Sequence, residues 1–237
     1  MKTIFGGLPV ATALTAAVAA TVAVPADAAT RSYDVGAFEK IGVRGAYDVV
    51  VRSGQTASVR AEGDEDDLAH LVVRNDGDKL IVEREKTRGI SLWDNEGPVR
   101  VLVTVPQLNG ADLAGSGDLV VDRMEGDSVG LSLAGSGNLK VGAIEAERAK
   151  LNIAGSGDLT AGGSCSSGSV SIAGSGDVLG QNLTCRTVSV SVAGSGNVQI
   201  RATDTAKASI MGSGDVTITG GAKCRSSVMG SGDLKCS

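Results

Sequence analysis

The stretch LSLAGSGNLKV, residues 131–141, contains the unit that decides the fold of this chain. Its centre is one of seven copies of Gly-Ser-Gly-Asp/Asn in the second half of the sequence. The copies follow one another at intervals of 18 to 20 residues and begin at Gly115, Gly135, Gly155, Gly174, Gly194, Gly212 and Gly230. Such a period predicts a stack of equal units, none of which can bury its apolar face alone. A motif used seven times is also a poor candidate for a single active site.

Aliphatic residues alternate with other residues on both sides of the glycine turns. Leu131 and Leu133 precede one turn, and Leu139 and Val141 follow it. Two short strands joined by a tight turn, with a second, variable turn, form one coil of a β-solenoid. We therefore predict an all-β fold over residues 110–237, expected as a right-handed parallel β-helix. The residues two positions before the glycines should form one buried ladder of Leu133, Ile153, Ile172, Val192 and Ile210.

The tightness of the turn explains its residue types. Glycine supplies backbone angles that other residues avoid, and we expect a positive φ at Gly157. Asp or Asn tolerates the left-handed region while capping a turn amide. Stacked copies would lie about 4.8 Å apart, where two carboxylates repel by about 1 kcal/mol even in water. Because Asn interrupts the column, shape rather than charge is the predicted requirement at Asp118, Asn138, Asp158, Asp177, Asn197, Asp215 and Asp233.

Residues 1–28 have the features of a secretory signal peptide. An alanine-rich apolar stretch follows a basic second residue and ends in Ala26-Asp27-Ala28, which predicts cleavage before Ala29. The alternative is a membrane anchor, but Pro9 and Pro25 leave about 15 residues between them where a span needs about 20. The mature chain is therefore expected to be exported, with no membrane span.

Residues 29–109 are predicted to form an N-terminal β region. Short alternating segments run through it, and Asn75-Asp76-Gly77-Asp78 separates two of them as a hairpin signal. Residues 99–105 alternate as one more strand, and residues 64–70 are the only stretch here with a helical pattern.

Composition limits the function. Lys and Arg number 22 against 27 Asp and Glu, and this net charge of −5 argues against a nucleic-acid partner. Aromatic residues make up 2% of the chain and none lies in the repeats. A core without large rings suits narrow layers of stacked aliphatic side chains.

The four cysteines suit two disulfides in an exported protein. Cys165 and Cys185 each lie nine residues before a glycine turn, so stacking would bring their α-carbons to about 4.8 Å, within disulfide range. Cys224 and Cys236 lie six residues on either side of Gly230 and could close the last coil. A zinc site is the alternative, but the sequence has no C-x-x-C and no nearby histidine.

Enzymatic alternatives find little support. A serine nucleophile elbow needs G-x-S-x-G, whereas here the serine lies directly between glycines, and the single histidine, His70, is outside the repeats. Polysaccharide cleavage occurs on β-helices, but it requires long loops and aromatic platforms that these minimal coils lack. Weak calcium binding along Asp158/Asp177 or Asp215/Asp233 stays open, although calcium-binding β-rolls repeat their motif every nine residues.

The repeats, preceded by the segment 38–45 and the strand 47–51, resemble the bacterial head GIN domain family of auto-transporter adhesins over roughly residues 35–235. The resemblance implies a β-helix with Gly-Ser-Gly at the tight turns between two sheets and no catalytic residues there. It also implies a role in cell adhesion.

We therefore interpret the chain as an exported, non-enzymatic β-helix with a structural or adhesive role at the cell envelope. No catalytic, cofactor-binding or metal-binding residues are predicted. The expected location is the periplasm, the cell surface or the extracellular space, and the expected partner is an envelope or surface ligand, either glycan or protein. Two alternatives remain: a carbohydrate-binding or carbohydrate-processing β-helix, and an envelope scaffold or sensory module.

Overall fold

The computed structural model describes residues 29–85 and 97–237, so the predicted signal peptide lies outside the described residues. The N-terminal elements are β1 (Ala29–Tyr33), β2 (Lys40–Gly45), β3 (Asp48–Ser53), β4 (Ser58–Gly63), α1 (Glu65–Ala69), β5 (Leu71–Asp76), β6 (Lys79–Arg84) and β7 (Arg100–Val105). The repeat elements are β8 (Gly110–Gly115), β9 (Asp118–Gly135), β10 (Asn138–Gly155), β11 (Leu159–Gly174), β12 (Val178–Gly194), β13 (Val198–Gly212), β14 (Val216–Thr219), β15 (Lys223–Gly230) and β16 (Leu234–Cys236).

The long strands β9 to β13 wind around a common axis as successive coils. Each begins just after one glycine turn and ends at the next, and it pairs in parallel with the strand one coil away. Equivalent glycines are register partners throughout, as Gly135 is with Gly155. This parallel, in-register stacking confirms the predicted β-solenoid.

Aliphatic ladders fill the interior of the solenoid. The predicted ladder of Leu133, Ile153, Ile172, Val192 and Ile210 is confirmed, because each of these side chains is at most 2% exposed. Leu139, Leu159, Val178 and Val198 form a second buried ladder on the strands that follow the turns. Burying one such side chain stabilises the fold by about 1.5–3 kcal/mol relative to leaving it exposed.

Differences in coil length are absorbed at the second corner of the coil. The register shifts lie at Val141/Ile144, Thr160/Gly162 and Gly180/Thr184, with one more after Cys185, whereas pairing around the glycine turns shows no shift. The glycine corner is therefore the fixed corner of every coil, and the opposite corner is the variable one.

The N-terminal end of the solenoid is covered. The strands β6 and β7 extend the two faces in parallel, and β5, β4 and β1 add antiparallel strands beyond them. The short helix α1 contacts β1 and β4 and buries Leu68, in agreement with the helical pattern over residues 64–70. The hairpin predicted at residues 75–78 is also present, as β5 and β6.

The C-terminal end of the solenoid differs from the N-terminal end. The last coil consists of β15 and β16, which pair with β13 and β14. Its ladder residue Val228 is 41% exposed, and Leu234 is only partly buried. Within the described residues, no strand pairs with the outer edge of either β15 or β16.

Candidate functional site: the glycine turns and the outer faces

The first glycine of each motif is held in a conformation that only glycine adopts easily. Gly155 has φ +138°, and a Cβ built on it would lie 2.2 Å from the carbonyl oxygen of Gly135 in the preceding coil. That oxygen accepts two hydrogen bonds, from the amides of Ser156 at 2.9 Å and Gly157 at 3.1 Å. Successive coils therefore meet backbone to backbone at this corner.

The second glycine is required for a different reason than the sequence predicts. The expectation of a positive φ at Gly157 is wrong, since this residue is not among those with positive φ. A Cβ on Gly157 would instead lie 2.0 Å from the carbonyl oxygen of Gly137. The requirement is close approach of two coils and not the backbone angle of one residue.

The Asp/Asn column links each coil to the next through hydrogen bonds. The amide of Asp177 donates to Oδ1 of Asp158 at 3.1 Å, and the amide of Asn197 donates to Oδ1 of Asp177 at 2.7 Å. Oδ1 of Asn197 in turn accepts from the amide of Asp215 at 3.0 Å. An amide oxygen thus serves as well as a carboxylate, which supports the prediction that shape is required here.

The expected left-handed conformation of these Asp and Asn residues is wrong. Within the described residues, every positive φ belongs to glycine. The side chains reach along the solenoid axis to the neighbouring coil, so they cap an amide of another coil and not of their own turn.

One further turn of this type precedes the seven repeats. Gly45 has φ +116° and is the register partner of Gly115, and its carbonyl oxygen accepts the amides of Ser116 at 3.2 Å and Gly117 at 3.3 Å. The sequence signal was the spacing Gly45-Ala46-Tyr47-Asp48, with Gly and Asp in the repeat positions. Sequence analysis missed it because Ala and Tyr replace the middle of the motif.

Regular columns of small side chains cover the outer face of the strands that precede the turns. The residues three positions before each glycine are register partners from coil to coil, and all are polar: Asp112, Ser132, Asn152, Ser171, Ser191, Ser209 and Ser227. The residues one position before the glycine are Ala114, Ala134, Ala154, Ala173 and Ala193, and then Met211 and Met229. Copies along such a column are spaced by about 4.8 Å.

Comparison with known proteins identifies this repeat geometry. The family model described as "putative auto-transporter adhesin, head GIN domain" matches residues 37–222. The chain belongs to this family. No protein with a curated function matches the sequence.

Solved structures share the fold of this head GIN domain. A putative adhesin from Bacteroides fragilis is similar with a TM-score of 0.80 and 21% identity, over 90% of this chain and 98% of that chain. A putative lipid binding protein from Parabacteroides distasonis has a TM-score of 0.70 and 21% identity, over 90% and 98% of the two chains. A putative adhesin from Parabacteroides merdae has a TM-score of 0.71 and 18% identity, over 90% and 97%.

The cysteines of the head GIN domain lie in the two predicted pairs. Cys165 and Cys185 lie at disulfide distance in adjacent coils, with α-carbons 4.5 Å apart, and Cys224 and Cys236 lie at disulfide distance across the last coil, with α-carbons 6.5 Å apart. Their oxidation to two disulfides remains a prediction. His70 caps the C-terminus of α1, and its amide hydrogen-bonds with the carbonyls of Asp67 and Leu68.

A groove of about 810 Å³ lies beside the first coil of the head GIN domain, between loops at residues 35–39, 55–57, 77–78 and 106–107. Phe38 contributes to its wall but is only 4% exposed. At the rim, Lys40 donates a 2.7 Å hydrogen bond to Asp78 and thereby lowers the pKa of that carboxyl.

A second charged group lies on the nearby sheet face. Arg44 and Arg74 donate hydrogen bonds to Glu83 at 2.7 and 3.0 Å, and these bonds, Arg44 foremost, lower the pKa of Glu83. Among the described residues, no group of three or more His, Cys, Asp or Glu is arranged to hold a metal ion. No helix in the described part of the chain is long and apolar enough to cross a membrane.

Proposed function

We propose that this chain is an exported, non-enzymatic β-helix with a structural or adhesive role at the cell envelope. The observation that carries the proposal is the column of small polar side chains on one outer face of the seven repeats. Copies at a fixed spacing present the same group many times to one ligand, so weak contacts add up without a deep pocket. Membership of a family described as adhesins supports the same role.

Rigidity of the face is part of the proposal. Backbone contacts at the glycine corners and hydrogen bonds through the Asp/Asn column fix the spacing between coils. A preformed array loses little conformational entropy on binding, which favours recognition of an extended or repetitive ligand. Envelope glycans and surface proteins are the two classes of ligand that fit this description.

Export is proposed on two grounds. The sequence of residues 1–28 has the pattern of a signal peptide, and the paired cysteines suit an oxidising compartment. The protein would therefore act in the periplasm, at the cell surface or outside the cell.

The test is binding of the purified chain to envelope fractions and to a glycan array. Ser171→Arg with Ser191→Arg places two long cations on the polar column, and Thr160→Arg with Gln199→Arg adds the same charges to the outer face of the opposite sheet. We expect the first pair to lower binding by at least about tenfold and the second pair to leave it unchanged. Absence of any captured envelope component, or equal loss in both pairs, would contradict adhesion through this face.

A further inference from the structure

We propose that a polar depression above Gly130 is a glycan-binding site that takes one neutral sugar residue. The depression lies on the outer face that carries the polar column, so this site rests on the adhesive role proposed above and names its ligand. Its volume of about 450 Å³ falls within the usual range of about 300–1,000 Å³ for pockets that hold small ligands.

Two glycines create the depression. Gly110 and Gly130 are register partners in the column five positions before each glycine turn. Lys40 precedes them in this column and Lys150 follows them. The stem of Lys40 covers Gly110, because a Cβ on this glycine would lie 2.7 Å from the Lys40 Cγ. A Cβ on Gly130 would meet no atom of the described residues within 4 Å, so a ligand can approach the backbone closely at this point.

Polar side chains surround the open space. Asp112, Ser132 and Asn152 line it toward the glycine turns, and Asn109 and Ser128 line it on the other side. Ser132 and Asn152 are half-buried, yet neither side chain forms a hydrogen bond with another described residue. Half-buried polar groups usually have partners, so these two are available to a ligand.

The chemistry of these groups matches the hydroxyls of a sugar ring. The hydroxyl of Ser132 and the amide of Asn152 can both donate and accept hydrogen bonds, as sugar hydroxyls do. The carboxylate of Asp112 receives the ammonium of Lys79 on Oδ2, which leaves Oδ1 to accept a bond from the ligand. A site of this kind recognises a ligand by several hydroxyls at once and selects against one that lacks them.

The charges around the depression cancel, which favours a neutral ligand. Lys40 and Lys79 each donate to a carboxylate, that of Asp78 and that of Asp112 respectively. The cations and anions in this area are equal in number: Lys40, Lys79 and Lys150 against Glu39, Asp78 and Asp112. A phosphate or an acidic sugar therefore gains no net attraction here.

The position of the depression suits an extended glycan. The polar column continues from Asn152 to Ser171 and Ser191 in the following coils. A glycan with one residue held above Gly130 can therefore run along the column and make weak contacts with each coil, and these contacts add to the affinity.

The first experiment probes an array of neutral and acidic bacterial oligosaccharides with the purified chain, and calorimetry then gives the Kd of the neutral member that binds most strongly. Gly130→Gln should weaken this binding by at least about tenfold, because its side chain fills the depression. The fold should be retained, since the new Cβ has open space around it. Thr160→Gln is the matched control, because it adds the same side chain to the outer face of the opposite sheet, and its Kd should be unchanged.

A second set of variants leaves the space open and removes hydrogen-bonding groups. Ser132→Ala and Asn152→Ala should each weaken binding by about fivefold, the effect of one hydrogen bond. Unchanged affinity in both variants, an equal loss in Thr160→Gln, or binding of acidic members alone overturns the site.

Comparison with envelope binding separates this site from the adhesive role. Capture of an envelope component that is lost in Ser171→Arg with Ser191→Arg but kept in Gly130→Gln overturns the glycan site and leaves adhesion through the outer face in place. If the wild-type chain captures no envelope component and no array member, both proposals are wrong.

Discussion

Replacing Gly157 by alanine tests how closely the coils approach at the fixed corner. The new Cβ would lie 2.0 Å from the carbonyl oxygen of Gly137 and 3.0 Å from the carbonyl carbon of Ser136. Real Cβ atoms avoid contacts below about 3 Å, so the two coils would have to separate by about 1 Å at this corner. Overpacking of this kind costs about 1–3 kcal/mol, and accompanying backbone shifts raise the cost.

The separation would also weaken hydrogen bonds between the coils. The amides of Ser156 and Gly157 both donate to Gly135, and each such bond contributes about 1 kcal/mol net. We therefore expect Gly157→Ala to lower the free energy of unfolding by about 3–5 kcal/mol, a large part of the usual total of about 5–15 kcal/mol.

Gly130→Ala is the matched control. Gly130 lies in a strand of the same solenoid, has no positive φ, and its added Cβ would meet no atom within 4 Å. Alanine there should be neutral or stabilise by about 0.5 kcal/mol, because it restricts the unfolded chain. Urea unfolding of both variants, followed by far-ultraviolet circular dichroism, provides the comparison. Equal midpoints for Gly157→Ala and Gly130→Ala would refute the close-approach argument.

Four further outcomes are expected. Ile172→Asp should cost several kcal/mol in thermal or urea unfolding, since it places an unpaired charge in a ladder position that is 1% exposed, and near-native stability would contradict the register. Asp158→Asn combined with Asp177→Asn should leave stability unchanged or slightly raised; a rise in the wild-type melting temperature at sub-millimolar calcium, abolished by this double change, would instead indicate a metal site. Glu83→Gln should lower stability at neutral pH, and the difference from wild type should vanish on acidification. The pKa of Glu83 is lowered in the folded state, so the stabilisation by its carboxylate is fully present above the ordinary pKa and is lost as the pH falls through the lowered pKa. Peptide mapping without reductant should find the four cysteines in their two pairs, and free thiols or crossed pairs would contradict the stacking argument.

Much of the fold is predictable from the sequence because the glycine corner fixes the register. Counting two residues back from each glycine identifies the buried ladder, as Ile153 and Ile172 demonstrate. Counting nine back identifies the stacked positions of Cys165 and Cys185. Both predictions depend only on contacts between neighbouring coils, and those contacts repeat along the chain.

Other features depend on how separate parts of the chain meet, so the repeat pattern does not contain them. The constraint on Gly157 comes from a carbonyl one coil away, and no local preference of Gly157 reveals it. The coil at Gly45 is separated from the repeats by the strands of the N-terminal cap, so its kinship with Gly115 shows only in the folded register. Only the structure establishes which outer face of the solenoid the polar column covers.

Because the glycine corner is the same in every repeat, the solenoid can become longer or shorter only by whole coils. At this corner each coil contacts the equivalent residues of its predecessor, so removal of residues 135–154 would leave Gly155 to lie on Gly115 and Asp158 on Asp118 in the same manner as before. A loss of only a few residues at that corner has no such solution, because it would rotate apolar side chains out of their columns. Such a protein can gain or lose whole coils by recombination between its own repeats, and its reach along the axis would then change in steps of about 4.8 Å.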